Sequence, residues 1–202
     1  LNSKATVLSR NPEIFKLKFP SIGLDPSIEL YSGDIRDFTY LDKEFSYIIH
    51  GATSKATETF SKQDPLIKYD TVAGGTRRTL DFATKCNCKK FLLLSSGSVY
   101  GKQTLENENF HEDYSGAPYT NDKNFDSSVL GESKRISELL TTIYSEKFGL
   151  ETKIARCFSF VGPYLPVNIH YAIGNFIRDS IKNNVINVEG DGTPVRSYMY
   201  IS

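Results

Sequence analysis

The run KFLLLSSG, Lys90–Gly97, decides the fold. Phe91 to Leu94 are apolar without alternation, so such a strand leaves neither face for water. A strand buried on both faces belongs in a parallel sheet covered by helices. YIIHGA, Tyr47–Ala52, has the same character. Working outward, ATVLS (Ala5–Ser9), IELYSGDI (Ile28–Ile35) and TKIARCFSFVG (Thr152–Gly162) also read as strands. Between them, Thr71–Lys85 and Ser133–Phe148 read as helices. The second carries Ile136, Leu139, Leu140 and Ile143 as one apolar stripe, with Lys147 in its last turn and Gly149 to end it. This order of elements predicts an α/β protein built on a doubly wound parallel sheet.

The character changes after Gly162. GPYLPVNIHY reads as a Pro-bearing link, Ala172–Lys182 as a helix, and INVEGDGTPVRSYMYI as two strand-like runs about a Gly-Asp-Gly turn. The expected division is a first domain over residues 1–162 and the beginning of a second region over 163–202. The chain opens on Leu1 and stops at Ser202 directly after a strand-like run, and it reads as a piece of a longer chain.

Composition narrows the class. The 202 residues are 39% hydrophobic and 24% charged, ordinary for a globular protein. Lys plus Arg equals Asp plus Glu at 24 each, so there is no electrostatic case for nucleic acid or an anionic membrane surface. No apolar run approaches the roughly 18–20 residues needed to span a bilayer. The three cysteines, Cys86, Cys88 and Cys157, are odd in number and include a tight C-x-C pair, which suits neither a disulfide framework nor a common zinc site. They read as reduced thiols, and the chain as cytoplasmic. The histidines, His50, His111 and His170, have no metal-site spacing.

In a doubly wound sheet, ligands bind beyond the C-terminal ends of the strands. Four patterns fall at such ends or open a helix, in the order SGDIRD, IIHGAT, LLLSSGSVYG and GESKRISELL. With ARCFSFVGP and VEGDGTPVRSYMYI after them, the chain resembles an extended short-chain dehydrogenase/reductase of the NAD-dependent epimerase/dehydratase family, whose members modify nucleotide-linked sugars. The resemblance covers nearly the whole chain. It implies a Rossmann fold, whose opening strand and Gly-rich turn are not found before Leu1. It also implies a nucleotide-linked sugar as substrate, no nucleic acid or membrane partner, and leaves a homodimer open.

Residue by residue, the resemblance assigns the cofactor to several strand ends. Small residues there let a cofactor approach the backbone, and hydroxyls can bond to it. Asp34 and Ile35 match the acid-plus-aliphatic pair that holds adenine. Gly51, Ala52 and Thr53 follow the next strand, Ser95 ends another, and Phe158 lies in the ARCFSFVGP segment. The first strand ends in Ser9 and Arg10. An acidic residue there would grip the ribose of NAD, whereas Arg pairs with the 2′-phosphate of NADP, so the cofactor is NAD or NADP with a slight lean to NADP. Within Thr71–Lys85, Gly74 and Gly75 admit two explanations: close approach of the helix to the sheet or cofactor, or a helix that starts near Thr76.

The family's chemistry rests on a tyrosine four residues before a lysine, so that both project from one helix face. The cation lowers the phenol pKa, and a Ser or Thr hydroxyl from the neighbouring strand end binds the same sugar oxygen. The resemblance assigns the lysine to Lys134 and the hydroxyl to Ser96. The tyrosine position holds Leu130, which cannot transfer a proton. Ser159 and Arg196 are assigned to the substrate, the latter because a guanidinium pairs bidentately with diphosphate oxygens. Family 4,6-dehydratases carry an Asp-Glu pair directly after the catalytic hydroxyl. Gly97 and Ser98 stand there, which argues against dehydration and leaves epimerisation, decarboxylation or ketone reduction. Two functions therefore compete: an oxidoreductase working by transient oxidation of a sugar hydroxyl, and a catalytically inactive dinucleotide-binding sensor or oligomerisation module.

Overall fold

The structure is a computed structural model that describes residues 3–54, 64–103, 109–121, 125–169, 171–183, 185–188, 190–193 and 195–201. The strands are β1 (Ala5–Ser9), β2 (Ile28–Ser32), β3 (Tyr47–His50), β4 (Lys90–Ser96), β5 (Glu151–Cys157), β6 (Ser159–Val161) and β7 (Tyr198–Tyr200). The helices are α1 (Pro12–Lys18), α2 (Pro20–Gly23), α3 (Pro65–Tyr69), α4 (Gly75–Lys85), α5 (Phe125–Phe148) and α6 (Ala172–Asn183). A π-turn, Asp70–Gly74, joins α3 to α4, and a 3₁₀ turn, Gly97–Tyr100, follows β4.

Every strand pair is parallel. β1 lies beside β2, β4 is central between β3 and β5, and β6 pairs with β7. Among the described residues β1 has no partner but β2, and β3 none but β4, so each presents an open edge. A cleft of about 800 Å³ is lined by both of these strands.

β4 behaves as its composition predicts on one face: Phe91 and Leu93 are buried with Leu80 and Ala83 of α4, Tyr144 of α5 and Leu150. Phe82 of α4 packs instead with Phe38 and Cys86. β3 departs from the expectation of burial on both faces. Ile49 is 70% exposed, because β3 forms the cleft wall and lacks a neighbour on that side.

The helix predicted over Thr71–Lys85 starts earlier, at Pro65, where the Asp64 carboxylate accepts from the Leu66 N–H. Proline at the first helical position loses no hydrogen bond. Of the two explanations for the paired glycines, close approach holds at Gly75: a Cβ there would come within 3.0 Å of Ile35. Gly74 has open space around it, and a helix start near Thr76 is excluded.

The long helix α5 presents its apolar stripe to the outside. Ile136, Leu139 and Ile143 are 38%, 54% and 43% exposed, and only Leu140 packs on the core. The buried face is Ser133, Ser137, Thr141 and Tyr144. Small hydroxyl residues let the helices approach closely: Ser137 Oγ donates to the Ser133 carbonyl and Thr141 Oγ1 to the Ser137 carbonyl, both at 2.8 Å, while the Ser133 hydroxyl is buried without a partner among the described residues. Gly149 ends the helix with φ of 68° as its amide donates to Ser145.

The C-terminal region also differs from expectation. Thr152–Gly162 is two strands interrupted at Phe158, and residues 185–188 form no strand. Tyr198–Tyr200 pairs in parallel with Ser159–Val161 rather than folding back as a hairpin about the Gly-Asp-Gly turn.

Candidate active site

Two groups of side chains gather at the C-terminal ends of the strands. The first lines the cleft: Arg10, Asp34, Ile35, Gly51, Ala52 and Thr53, all of them sequence candidates. Asp34 follows β2 in a tight turn. Its carboxylate accepts from the Arg36 amide, Nε and Nη2, each at 2.9 Å, and these bonds hold its pKa below the usual carboxylate value. Arg10 reinforces that shift across the cleft rim. Tyr31, Phe38 and Thr71 share the cleft. Sequence reasoning missed all three, because nothing local marks a residue whose neighbours come from other strands. Ser9 ends β1 without lining the cleft, and its hydroxyl accepts from the Asn11 amide.

The second group surrounds the ends of β4 and β5. Lys134 projects from α5, is 4% exposed, and donates through Nζ to the Leu94 carbonyl at 2.7 Å. Burial lowers its pKa to about 8, opposed by the nearby Cys157 and Glu138. Ser96 Oγ accepts from the amide and hydroxyl of Ser98, at 3.2 and 2.9 Å. Ser96 lies level with Cys157 across the β4–β5 ladder. Leu130, half-buried, stands one helical turn before Lys134. Gly131 beside it is required by packing, since a Cβ there would meet the Ser98 carbonyl at 2.6 Å. The two groups meet at Leu94: its carbonyl accepts the Lys134 hydrogen bond, while its side chain would lie 3.1 Å from a Cβ on Gly51.

Ser95 is turned to other work. Its hydroxyl donates to Glu138 Oε1 at 2.6 Å, away from the cleft. Glu138 is clasped by Arg156 of β5, Nε to Oε1 at 3.0 Å and Nη2 to Oε2 at 2.8 Å. Arg156 Nη1 also donates to the Tyr100 hydroxyl at 2.9 Å and the Glu112 carbonyl at 2.7 Å. Sequence reasoning missed Glu138, Arg156 and Tyr100, although Glu138 lies one turn beyond Lys134 on the same face.

Phe158 is exposed, and its ring covers Gly97, where a Cβ would come within 2.6 Å of it. No larger side chain fits at 97 unless Phe158 moves. Ser159 is half-buried on β6. Arg196 is exposed, with Nη1 donating to the neighbouring Val195 carbonyl. Among the described residues no His, Cys, Asp and Glu cluster could hold a metal ion, and no helix is long and apolar enough to cross a membrane.

Parallel strands flanked by helices, with small residues at the strand ends, define the class of dinucleotide-binding folds. The sequence profile of the NAD-dependent epimerase/dehydratase family matches residues 3–202, and the chain belongs to that family. It is 29% identical over 177 residues to UDP-glucuronic acid decarboxylase 6 of Arabidopsis thaliana, covering 88% of this chain and 49% of that one. It is 29% identical over 181 residues to UDP-glucuronate 4-epimerase of Thermodesulfobacterium geofontis, covering 87% of this chain and 52% of that one. Its fold is similar to UDP-glucuronic acid 4-epimerase from Bacillus cereus, solved with UDP-glucuronic acid and NAD, at a TM-score of 0.77 and 20% identity, over 98% of this chain and 61% of the other. The chain thus spans about half the length of these curated relatives.

Proposed function

We propose that this chain carries the cofactor-binding part of an NAD(P)-dependent enzyme that acts on a nucleotide-linked sugar through transient oxidation of a sugar hydroxyl. The observation that carries the reading is Lys134: a buried ammonium bonded to the Leu94 carbonyl, two residues before Ser96 on β4. The cleft suits a dinucleotide. Ile35 offers apolar surface to a purine, Asp34 and Arg10 offer polar groups at its rim, and Gly51 leaves the backbone open. When bound, the nicotinamide would supply hydride exchange with the sugar.

The chain's own residues do the rest. Lys134 would hold the cofactor ribose, the Ser96 hydroxyl would bond the reacting sugar oxygen, and Ser159 and Arg196 would face the sugar and its diphosphate. Arg196 is exposed and donates to the Val195 carbonyl. Gly97, roofed by Phe158, has no carboxylate to offer, so epimerisation or decarboxylation is favoured over 4,6-dehydration. The decarboxylase and epimerase relatives agree in direction.

A second reading is favoured by Leu130: a cofactor-binding sensor or oligomerisation module without turnover. Calorimetry with NAD and NADP, followed by product analysis over a panel of nucleotide sugars, separates the two. Binding with turnover supports the enzyme, binding without turnover the sensor, and absence of binding defeats both. We assign residues 1–162 to cofactor binding and 163–202 to the start of the substrate region, in a cytoplasmic protein. The exposed Ile136, Leu139 and Ile143 on α5, with Leu66 on the adjoining α3, form an apolar surface that a homodimer would bury. Light scattering of the intact protein tests that assembly.

A further inference from the structure

Lys134 is buried and among the described residues has no carboxylate within ion-pair distance; its one hydrogen bond runs to a main-chain carbonyl. The carboxylate one turn further along its own helix, Glu138, is engaged elsewhere. Both its oxygens are taken by Arg156, and Oε1 also accepts from Ser95. Side-chain exposure is only 13% at Glu138 and 29% at Arg156, so this is a partly desolvated pair rather than a solvent-exposed one. It joins α5 to the ends of β4 and β5 one turn from Lys134, and through Tyr100 it reaches the 3₁₀ turn that begins beside Ser96.

We infer that Glu138 is a positioning residue for Lys134: held by Arg156 and Ser95, it fixes the helix turn bearing the lysine against the end of β4 while its charge is drawn away from the ammonium. The inference rests on the reading of Lys134 as the residue that faces cofactor and sugar. The arrangement accounts for a lysine that gives up its proton more easily than a free one, since burial opposes its charge and the local anion is already paired. The other titratable groups coupled to Lys134 are Cys157 at the end of β5 and His50 at the end of β3; α3, also packed on α5, carries the buried Lys68.

The test is the titration of Lys134 in the intact, unliganded protein, followed by NMR of carbon-labelled lysine and assigned with Lys134→Arg. Glu138→Gln removes the anion, so the Lys134 midpoint should fall by roughly half a unit or more. Arg156→Gln frees the carboxylate and deletes a cation, so the midpoint should rise by a similar amount. Glu138→Asp keeps the charge and should leave the midpoint close to that of the unaltered protein even if it lowers the melting temperature. Loss of scaffolding alone would admit water and raise the midpoint in every variant. A rise or no change in Glu138→Gln, or an unaltered protein whose Lys134 titrates as a free lysine, overturns the inference. Cofactor binding is measured on the same samples. Shifts of the stated signs without any nicotinamide nucleotide binding would sink the functional reading and leave the Glu138 unit standing.

Discussion

His50 at the end of β3 and Thr76 in the first turn of α4 share a buried hydrogen bond of 3.0 Å, Nε2 to Oγ1. Thr76 Oγ1 donates to the Val72 carbonyl at 2.6 Å and lies 2.9 Å from Ser137 Oγ, so a polar chain links strand, π-turn and both helices through the interior. Burial lowers the His50 pKa from 6.5 to about 3, with the Lys134 charge acting the same way. The folded protein therefore keeps His50 neutral where the unfolded chain binds a proton. Stability from this group is full above pH 6.5 and is lost as pH falls from 6.5 towards about 3. Replacing His50 by Gln should flatten the stability profile between about pH 4.5 and 6.5, above the range where carboxylates dominate. Denaturant midpoints across that range check it, and an unchanged slope would show that His50 titrates freely.

At the alkaline end the relevant group is Lys134. Its folded pKa of about 8 lies below the ordinary 10.5, so between these values the unfolded chain holds a proton that the folded one has released. By linkage, stability rises with pH across that interval and is flat below it. Lys134→Met should remove the rise, measured by thermal melts from pH 7 upward. The same variant should weaken nicotinamide nucleotide binding if Lys134 holds the cofactor ribose as proposed.

Position 130 separates the two proposed readings. Leu130 stands one turn from Lys134, and Ser96 lies at the end of the strand that Lys134 contacts. Leu130→Tyr in the intact protein should create or raise sugar-nucleotide turnover by about 10²–10⁴-fold, the usual contribution of a positioned acid–base group. Lys134→Met added to it should remove most of the gain. A tyrosine variant that binds cofactor normally and stays inert on every nucleotide sugar tried leaves the sensor reading in possession.

Cofactor preference is tested at Arg10. Its guanidinium lies on the cleft rim with Asp34 and would pair only with the 2′-phosphate of NADP. Arg10→Ala should weaken NADP more than NAD in calorimetry. Equal losses would make Arg10 a bystander.

Gly75→Val tests the cleft wall. A Cβ at 75 already meets Ile35 at 3.0 Å, and two further methyl groups have nowhere to go unless Ile35 moves. Overpacking of this kind typically costs about 1–3 kcal/mol. A lower melting temperature together with weaker dinucleotide binding is expected, and Gly74→Ala, with open space around it, should change neither by a comparable amount.

Much of this was legible in local sequence. The unalternating FLLL run marked the central strand of its sheet, and the Gly after Phe148 marked the end of the long helix. The spacing of Leu130 and Lys134 alone puts both on one helix face. Each of these follows from the periods of helix and strand, 3.6 and 2, which a segment obeys wherever it sits. The cleft residues at the ends of β1, β2 and β3 were legible for a related reason: in a parallel sheet every strand delivers its C-terminal end to the same side.

What the segment could not tell was which partner each face would meet. The apolar stripe of α5 read as a core face, yet the buried face is Ser133, Ser137 and Thr141, because α4 and the π-turn approach too closely for leucines and offer carbonyls and hydroxyls instead. Ser95 read as a cofactor contact, yet its hydroxyl goes to Glu138, whose other partner, Arg156, lies on a different strand. The hairpin expected after Val185 became a parallel pair between β6 and β7, a contact between segments far apart in the chain. Secondary structure is written into short-range periodicity, but the pairing of a buried polar group is set by whichever group the packing brings within about 3 Å, and only the tertiary fold decides that.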